Sequence, residues 1–288
     1  MLPLRSHYFD DPGAKAAFKT FTQEVFGLDF APWEERGLWD DAYAPYSIFD
    51  RETVVANICV YPSVMTVEGE TRSGLQLLTV GTLPDYRGQG LQRRLWEVIT
   101  AKEVPHHDFV FLFTGSAAGF YKKLGLRQQS EFFHRLSLPP QSSGATVESR
   151  KLDPDDSEDF QILKTLANHR TPVSQKLGFK NPNLLLFMLI GPYRDWLYIL
   201  PELDVVVVIE PTAESIRIHD IVGRSMPDVA SIKGFLARFR KPRVDLLFSP
   251  DQLGAVNFEC LPLVEDTLMT SPEFGMPGMT LFPFSIRA

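Results

Sequence analysis

The sequence predicts an α/β (α+β) protein of two similar units, each a mixed, mostly antiparallel sheet flanked by helices, the second degenerate. Three observations carry that expectation. Segments with apolar residues at helical spacing alternate with segments that read as strands. Phe109-Val-Phe-Leu-Phe113 is apolar at every position, as suits a strand covered on both faces. The breaker-rich stretch Pro139-Pro140-Gln141-Ser142-Ser143-Gly144 splits the chain into halves of nearly equal length whose element order repeats. The expected domains are 1–138 and 145–288, joined by a linker at 139–144.

In the first half, Phe18, Phe21, Val25 and Phe26 form a helical stripe across Ala14 to Phe26. Tyr46 to Val60 reads as a hairpin turning at Asp50 to Glu52. A second turn at Glu68 to Gly74 leads into a strand, Leu75 to Leu83, stopped by Pro84. A helix starts near Gln89 with Leu91, Leu95, Val98 and Ile99 on one face. The apolar strand 109–113, a short helix carrying Tyr121 and a last strand near Phe132 to Leu138 complete the half.

The second half repeats this plan weakly. Asp153 before Pro154 predicts a helix start, with Phe160, Leu163 and Ala167 at helical spacing. Leu197 to Ile209 resembles the earlier hairpin, and Ile216 to Val222 mirrors Leu75 to Val80. A helix with Ile232, Phe235, Leu236 and Phe239 precedes the strand Val244 to Phe248, and the tail Met279 to Ala288 reads as apolar and strand-like.

Composition narrows the function classes. With 29 Lys and Arg against 36 Asp and Glu, the formal charge of −7 argues against a nucleic-acid partner, which needs a basic face. A hydrophobic content of 44% is that of a globular chain. The longest apolar run, Leu184 to Ile190, is far too short to span a membrane. The start reaches Asp10, Asp11 and Pro12 before any apolar core, unlike a secretory signal. Cys59 and Cys260 allow one disulfide at most and have no metal-site spacing. A reduced, cytoplasmic protein without a metal is the expectation.

The informative stretch is Val80-Gly-Thr-Leu-Pro-Asp-Tyr-Arg-Gly-Gln-Gly-Leu-Gln92. A buried strand ends at Pro84, a loop with Gly88 and Gly90 follows, and an amphipathic helix begins at once. Glycine allows close backbone approach, and a first helical turn presents unpaired N–H groups at the positive end of the dipole. Arg87, Arg93 and Arg94 add cationic charge, which suggests a cradle for a pyrophosphate. A plain strand-to-helix turn with solvated arginines is the other reading of Gly-x-Gly alone. No Lys-Ser/Thr follows as a P-loop requires, and Arg93 holds the place of the dinucleotide motif's third glycine.

Residues Val80 to Gln92 resemble the coenzyme A motif of the GCN5-related N-acetyltransferases (GNAT), and Gly119-Phe-Tyr-Lys-Lys-Leu-Gly125 resembles that family's Phe-Tyr-x-x-x-Gly segment. Together with Tyr61 to Gly69 and the second repeat, these are similar to the tandem, enhanced intracellular survival type. The terminal sterol-carrier-like domain of that type has no room here. The resemblance implies transfer of an acetyl group from acetyl-CoA to a primary amine of a small acceptor in a ternary complex, and the net negative charge favours a cationic one. It implies that backbone at Val80, Gly81 and Thr82, on a strand splayed from its neighbour, holds pantetheine and polarises the thioester carbonyl. Arg87, Gly88, Gln89, Gly90, Leu91, Gln92 and Arg93 would receive the pyrophosphate.

By the same resemblance Tyr121 is the general acid, able to hand a proton to a thiolate of similar basicity. No Glu or His stands on Leu75 to Leu83, and the tandem relatives imply the carboxylate of Ala288 as the base. Asp29, near Trp33 and Trp39, lies in the region that lines the acceptor side, where a carboxylate beside aromatics suits an ammonium. A capping Asp beside core tryptophans is the alternative. His106 and His107 are expected to face solvent, and His219 and Asp220 to pack. Tandem relatives assemble, so a homo-oligomer is expected by analogy. A non-catalytic acyl-CoA-binding protein, or transfer to a protein amine, are the competing readings.

Overall fold

A computed structural model describes residues 2–138 and 147–287, so the expected linker lies outside the described residues. The elements in chain order begin with β1 (Leu4–Ser6), α1 (Pro12–Phe26), α2 (Ala31–Glu35), β2 (Ala44–Asp50), β3 (Thr53–Val67), β4 (Glu70–Thr82) and α3 (Leu91–Lys102). There follow β5 (Phe109–Thr114), α4 (Ala118–Lys123), β6 (Arg127–Gln129), β7 (Phe132–Ser137), β8 (Arg150–Lys151), α5 (Ser157–Asn168), β9 (Leu177–Phe179) and α6 (Pro182–Ile190). The chain closes with β10 (Leu197–Leu200), β11 (Val205–Pro211), β12 (Ile216–Gly223), α7 (Val229–Ala237), β13 (Arg243–Leu246), β14 (Glu259–Pro262) and β15 (Thr267–Thr270).

Two compact units result, and neither is continuous in sequence. One holds the described residues up to Ser63, then Ser73–Gln129 and Thr267–Gly275. The other holds Val64–Arg72, the described part of Ser130–Asp266, and the described residues from Met276 onward. The first sheet runs β1-β2-β3-β4-β5-β15-β6, and the second β14-β7-β13-β12-β11-β10-β8. Read from opposite ends the two orders correspond, with a parallel pair, β4–β5 or β12–β13, inside each. The strand beside that pair is exchanged. β15 lies antiparallel between β5 and β6, while β7, expected to close the first half, lies antiparallel between β13 and β14.

Local chemistry explains the elements near the site. Asp11 caps α1 by accepting from the N–H groups of Gly13 and Ala14, and Gly27, in the left-handed region, ends it. Phe18 and Phe21 are its buried face. In α3, Leu95 and Ile99 are fully buried, one turn apart. α6 is apolar nearly all round because it is buried nearly all round.

Two expectations in the second half are corrected. α5 starts at Ser157 rather than at Pro154, because the Asp156 carboxylate caps it, accepting from Glu158 N at 2.9 Å and Asp159 N at 3.0 Å. The tail is not a strand. It forms a short 3-10 turn at Phe284–Ile286 in the space where β12 and the chain after β13 separate. There Phe284 N donates to Leu247 O, Tyr193 Oη donates to Phe284 O, and Ser285 Oγ donates to the buried Asp220.

Candidate active site

β4 and β5 pair only at Gly74–Phe109, Leu75–Val110 and Gln76–Phe111. β4 runs on to Thr82 with no β5 partner past Gln76, so the strands part as expected for a splayed pair. Val80, Gly81 and Thr82 lie on this parted stretch. Gly81 has a second reason to be glycine: a Cβ there would meet Phe26 at 2.7 Å and Val25 at 2.9 Å, both on α1.

From β4 the chain turns through Pro84–Tyr86 into α3. Tyr86 Oη donates to Asp50 at 2.7 Å and anchors the turn to the β2–β3 hairpin. Gly88 and Gly90 each have φ of +74°, and a Cβ at either would meet nothing within 4 Å. Glycine is needed there for conformation, and the space above each is open. Gly90 caps α3 without any side chain. Among the described residues none supplies an acceptor to the N–H groups of Gly88, Gln89, Gly90, Leu91, Gln92 or Arg93. Six amides without a protein acceptor thus lead into the first turn of α3, where an anion can be received.

The matching helix of the second unit makes the contrast. Asp228 caps α7 and accepts from Ser231 N at 2.7 Å, so the chain's own carboxylate fills that anion position. The exposed Arg93 side chain stands beside the open cradle, and Arg87 donates Nε to Thr82 O at 3.1 Å. Arg94, expected to add charge at the same turn, is corrected: its Nη1 donates to Leu2 O at 2.6 Å, toward β1.

Sequence reading missed how Gln92 works. Its Nε2 donates to Gly81 O at 2.5 Å, to Thr82 Oγ1 at 3.0 Å and to Asn57 O at 3.2 Å. One side chain thus ties the first turn of α3 to the end of β4. Asn57 was also missed, although an amide residue inside the apolar run Val54 to Val60 is the signal that could have found it.

Tyr121 lies on α4, its side chain 6% exposed and within the same apolar cluster that Val80 and Leu91 pack against. Trp96 Nε1 donates to Leu124 O at 3.1 Å and fastens α3 to the end of α4. Burial pushes the Tyr121 phenol up to about 12. Its hydroxyl has no partner among the described residues. Ala288 lies outside the described residues.

On the acceptor side, Asp29 is exposed and accepts from Ala31 N at 2.9 Å, the geometry of a turn-capping Asp. Trp33 is 1% exposed and stacks on Trp39 at 5.7 Å. The cation seat on this aromatic cluster is taken by the chain's own Lys15, whose Nζ lies 4.3 Å from the Trp39 ring centre. The structure therefore does not bring Asp29 and Trp33 together as an open ammonium site.

His107, expected in solvent, is half-buried and hydrogen-bonds Ser73 Oγ at 2.7 Å. It sits at the start of β4, and about ten residues of strand, roughly 30 Å, separate it from Leu83. His219 stacks on Trp196 at 5.3 Å and hydrogen-bonds Glu210 at 3.0 Å, while Asp220 pairs with Arg170. Both are packing residues. Among the described residues no helix is long and apolar enough to cross a membrane, and no group of metal-type ligands occurs.

Comparison with known proteins gives the geometry its relatives. An acetyltransferase (GNAT) domain model matches residues 14–128. A conserved protein of unknown function from Enterococcus faecalis V583, a probable N-acyltransferase, has a similar structure, with TM-score 0.62 and 12% identity over 94% of this chain and 72% of that one. Eis1 from Mycobacterium abscessus gives TM-score 0.59 and 17% identity over 93% of this chain and 73% of that one. A GCN5-related N-acetyltransferase from Kribbella flavida gives 0.54 and 17%, over 93% and 71%. These likenesses show a shared fold over nearly the whole of this chain. No curated protein matches the sequence.

Proposed function

Since residues 14–128 match an acetyltransferase (GNAT) domain model, we propose that the chain moves an acetyl group from acetyl-CoA to a primary amine of a small acceptor. The single observation that carries this reading is the uncapped N-terminus of α3, with its unpaired amides at Gly88 to Arg93 directly after a splayed strand. The N-termini of α1, α5 and α7 are each closed by a capping aspartate. Leaving six amides open at the edge of a parted sheet suits a ligand carrying a diphosphate on an extended arm.

The residues divide the work. Backbone of Val80, Gly81 and Thr82 holds the pantetheine arm, and amides of β4 facing the gap polarise the thioester carbonyl. Amides of Gly88 to Arg93 hold the diphosphate, with Arg87 and Arg93 adding charge. When bound, acetyl-CoA supplies the acetyl group: the amine lone pair forms the new C–N bond, and the C–S bond breaks with its electron pair on sulfur. The attached nitrogen gives up its extra proton to water, and Tyr121 gives the sulfur its phenolic proton and regains one from solvent. At pH 7 the amine, with a pKa near 10, must first lose a proton to water at a cost of about 4 kcal/mol. The negative net charge favours cationic acceptors, by long-range attraction.

Thiol release with an amine library is the test. Amine-dependent turnover that Tyr121→Phe lowers by about 100-fold supports the reading. Tight acetyl-CoA binding without turnover on any amine would replace it with a non-catalytic acyl-CoA-binding protein.

A further inference from the structure

We infer that Asn57 is a positioning residue for acyl transfer: its side-chain amide holds Thr79 in a left-handed conformation and so sets where β4 leaves β5. The inference rests on the acetyltransferase reading above. Thr79 has φ of +44°. For a β-branched residue inside a strand this is a true outlier, costing about 1–3 kcal/mol, and it persists only where surrounding structure holds it. It falls three residues past Gln76, the last β4 residue paired with β5, and one residue before Val80. The irregularity therefore stands at the mouth of the gap between the two strands.

What holds it is a buried chain of hydrogen bonds. Asn57 Nδ2 donates to Thr79 O at 2.9 Å and lies 3.2 Å from Thr79 Oγ1. Ser47 Oγ donates to Asn57 Oδ1 at 2.6 Å and hydrogen-bonds Tyr8 Oη at 2.6 Å. Tyr43 Oη hydrogen-bonds Thr79 Oγ1 at 3.1 Å from the other side. Ser47 and Asn57 have no exposed surface, and both neighbours of Asn57 on β3 are buried and apolar. Burying an amide among them costs several kcal/mol unless every polar atom is partnered, and here each one is.

The same residue reaches the phosphate turn. Gln92 Nε2, which holds Gly81 O, also donates to the main-chain oxygen of Asn57. Asn57 is thus the point where β3, the irregular part of β4 and the first turn of α3 meet. A carbonyl of β4 fixed to the interior at Thr79 turns the following peptide toward the opposite edge. Loss of that tether would let the strand relax toward regular pleating and move the amides that face the thioester.

The experiment compares Asn57→Leu and Ser47→Ala with wild type, measuring kcat for amine acetylation and the Kd values of coenzyme A and acetyl-CoA. Asn57→Leu is expected to lower kcat about 30-fold, with a smaller loss, under about tenfold, in affinity for coenzyme A, which carries the pantetheine arm but no thioester carbonyl to polarise. Ser47→Ala, which frees the amide to rotate and leaves Tyr8 Oη without its partner, should fold and lower kcat about fivefold with the same pattern. Should Asn57→Leu not fold, the Ser47→Ala result decides. Unchanged kcat in a folded variant overturns the inference, as does a loss confined to stability or to coenzyme A affinity. If wild type itself transfers no acetyl group to any amine, the acetyltransferase reading fails instead, and the two failures are distinguishable.

Discussion

Gln92 Nε2 lies 2.5 Å from the main-chain oxygen of Gly81, joining the helix that offers its N-terminus to the strand that parts from its neighbour. This bond fixes the distance between the two backbone segments proposed to hold opposite ends of one ligand. Replacing Gln92 by Leu keeps the packing and leaves Gly81 O without its donor, at a cost of about 1–2 kcal/mol. The expected result is a 5- to 20-fold weaker Kd for coenzyme A by calorimetry, with a melting temperature lowered by about 2–6 °C. An unchanged Kd would mean that the two segments hold their spacing without Gln92.

The Tyr121 phenol, pushed up to about 12 by burial, stays protonated across any practical assay range. As pH rises from 6 to 10, kcat/KM should therefore climb, following deprotonation of the amine, without a descending limb from Tyr121. Tyr121→Phe should sit about 100-fold lower in kcat and keep the same ascending limb. A descending limb below pH 10 that disappears in Tyr121→Phe would assign the phenol an ordinary acidity and contradict the burial argument.

His219 is held neutral by burial, against the pull of Glu210. Its folded pKa lies below the ordinary 6.5, so the unfolded chain takes up the proton first. Stability from this residue is present above that value and is lost as pH falls through it. Between pH 7.5 and 5.5 the wild-type melting temperature should drop further than that of His219→Phe, which keeps a ring between Trp196 and Tyr193. Equal drops would show that His219 titrates alike in both states.

Breaking one side of the Arg170–Asp220 pair leaves an uncompensated buried charge, since both side chains are at most 1% exposed. Asp220→Ala should cost about 3–5 kcal/mol of stability, read as a lower denaturant midpoint. A shift under 1 kcal/mol would mean that water reaches the site.

Helices and hairpins of both halves were legible because periodicity reports burial locally. α1 and α3 each carry an apolar stripe, and the β2–β3 and β10–β11 hairpins are bounded by turn residues. Sheet membership was not legible. Phe132–Ser137 reads as a strand, but its partners Arg243–Leu246 and Glu259–Pro262 lie more than a hundred residues on. β15 is four residues long and has no pattern of its own. At the site, the glycine loop announced itself through composition. Arg94 did not, because only tertiary structure shows its guanidinium bonded to Leu2 O. Trp33 and Asp29 suggested an ammonium site by proximity in sequence, yet folding buried one and left the other capping a turn.

Affinity for the diphosphate tests the cradle at Gly88–Arg93 most directly. Calorimetric titration with coenzyme A and with pantetheine, which lacks the diphosphate and nucleoside, separates the cradle from the strand. Two charge-assisted bonds from the Gly88–Arg93 amides predict coenzyme A binding about 100-fold tighter or better. Gly90→Trp, whose side chain enters open space at the cost of a strained left-handed backbone, should erase that difference in a protein that still melts cooperatively. Equal Kd values for the two ligands, or a Gly90→Trp protein that still prefers coenzyme A, would contradict it.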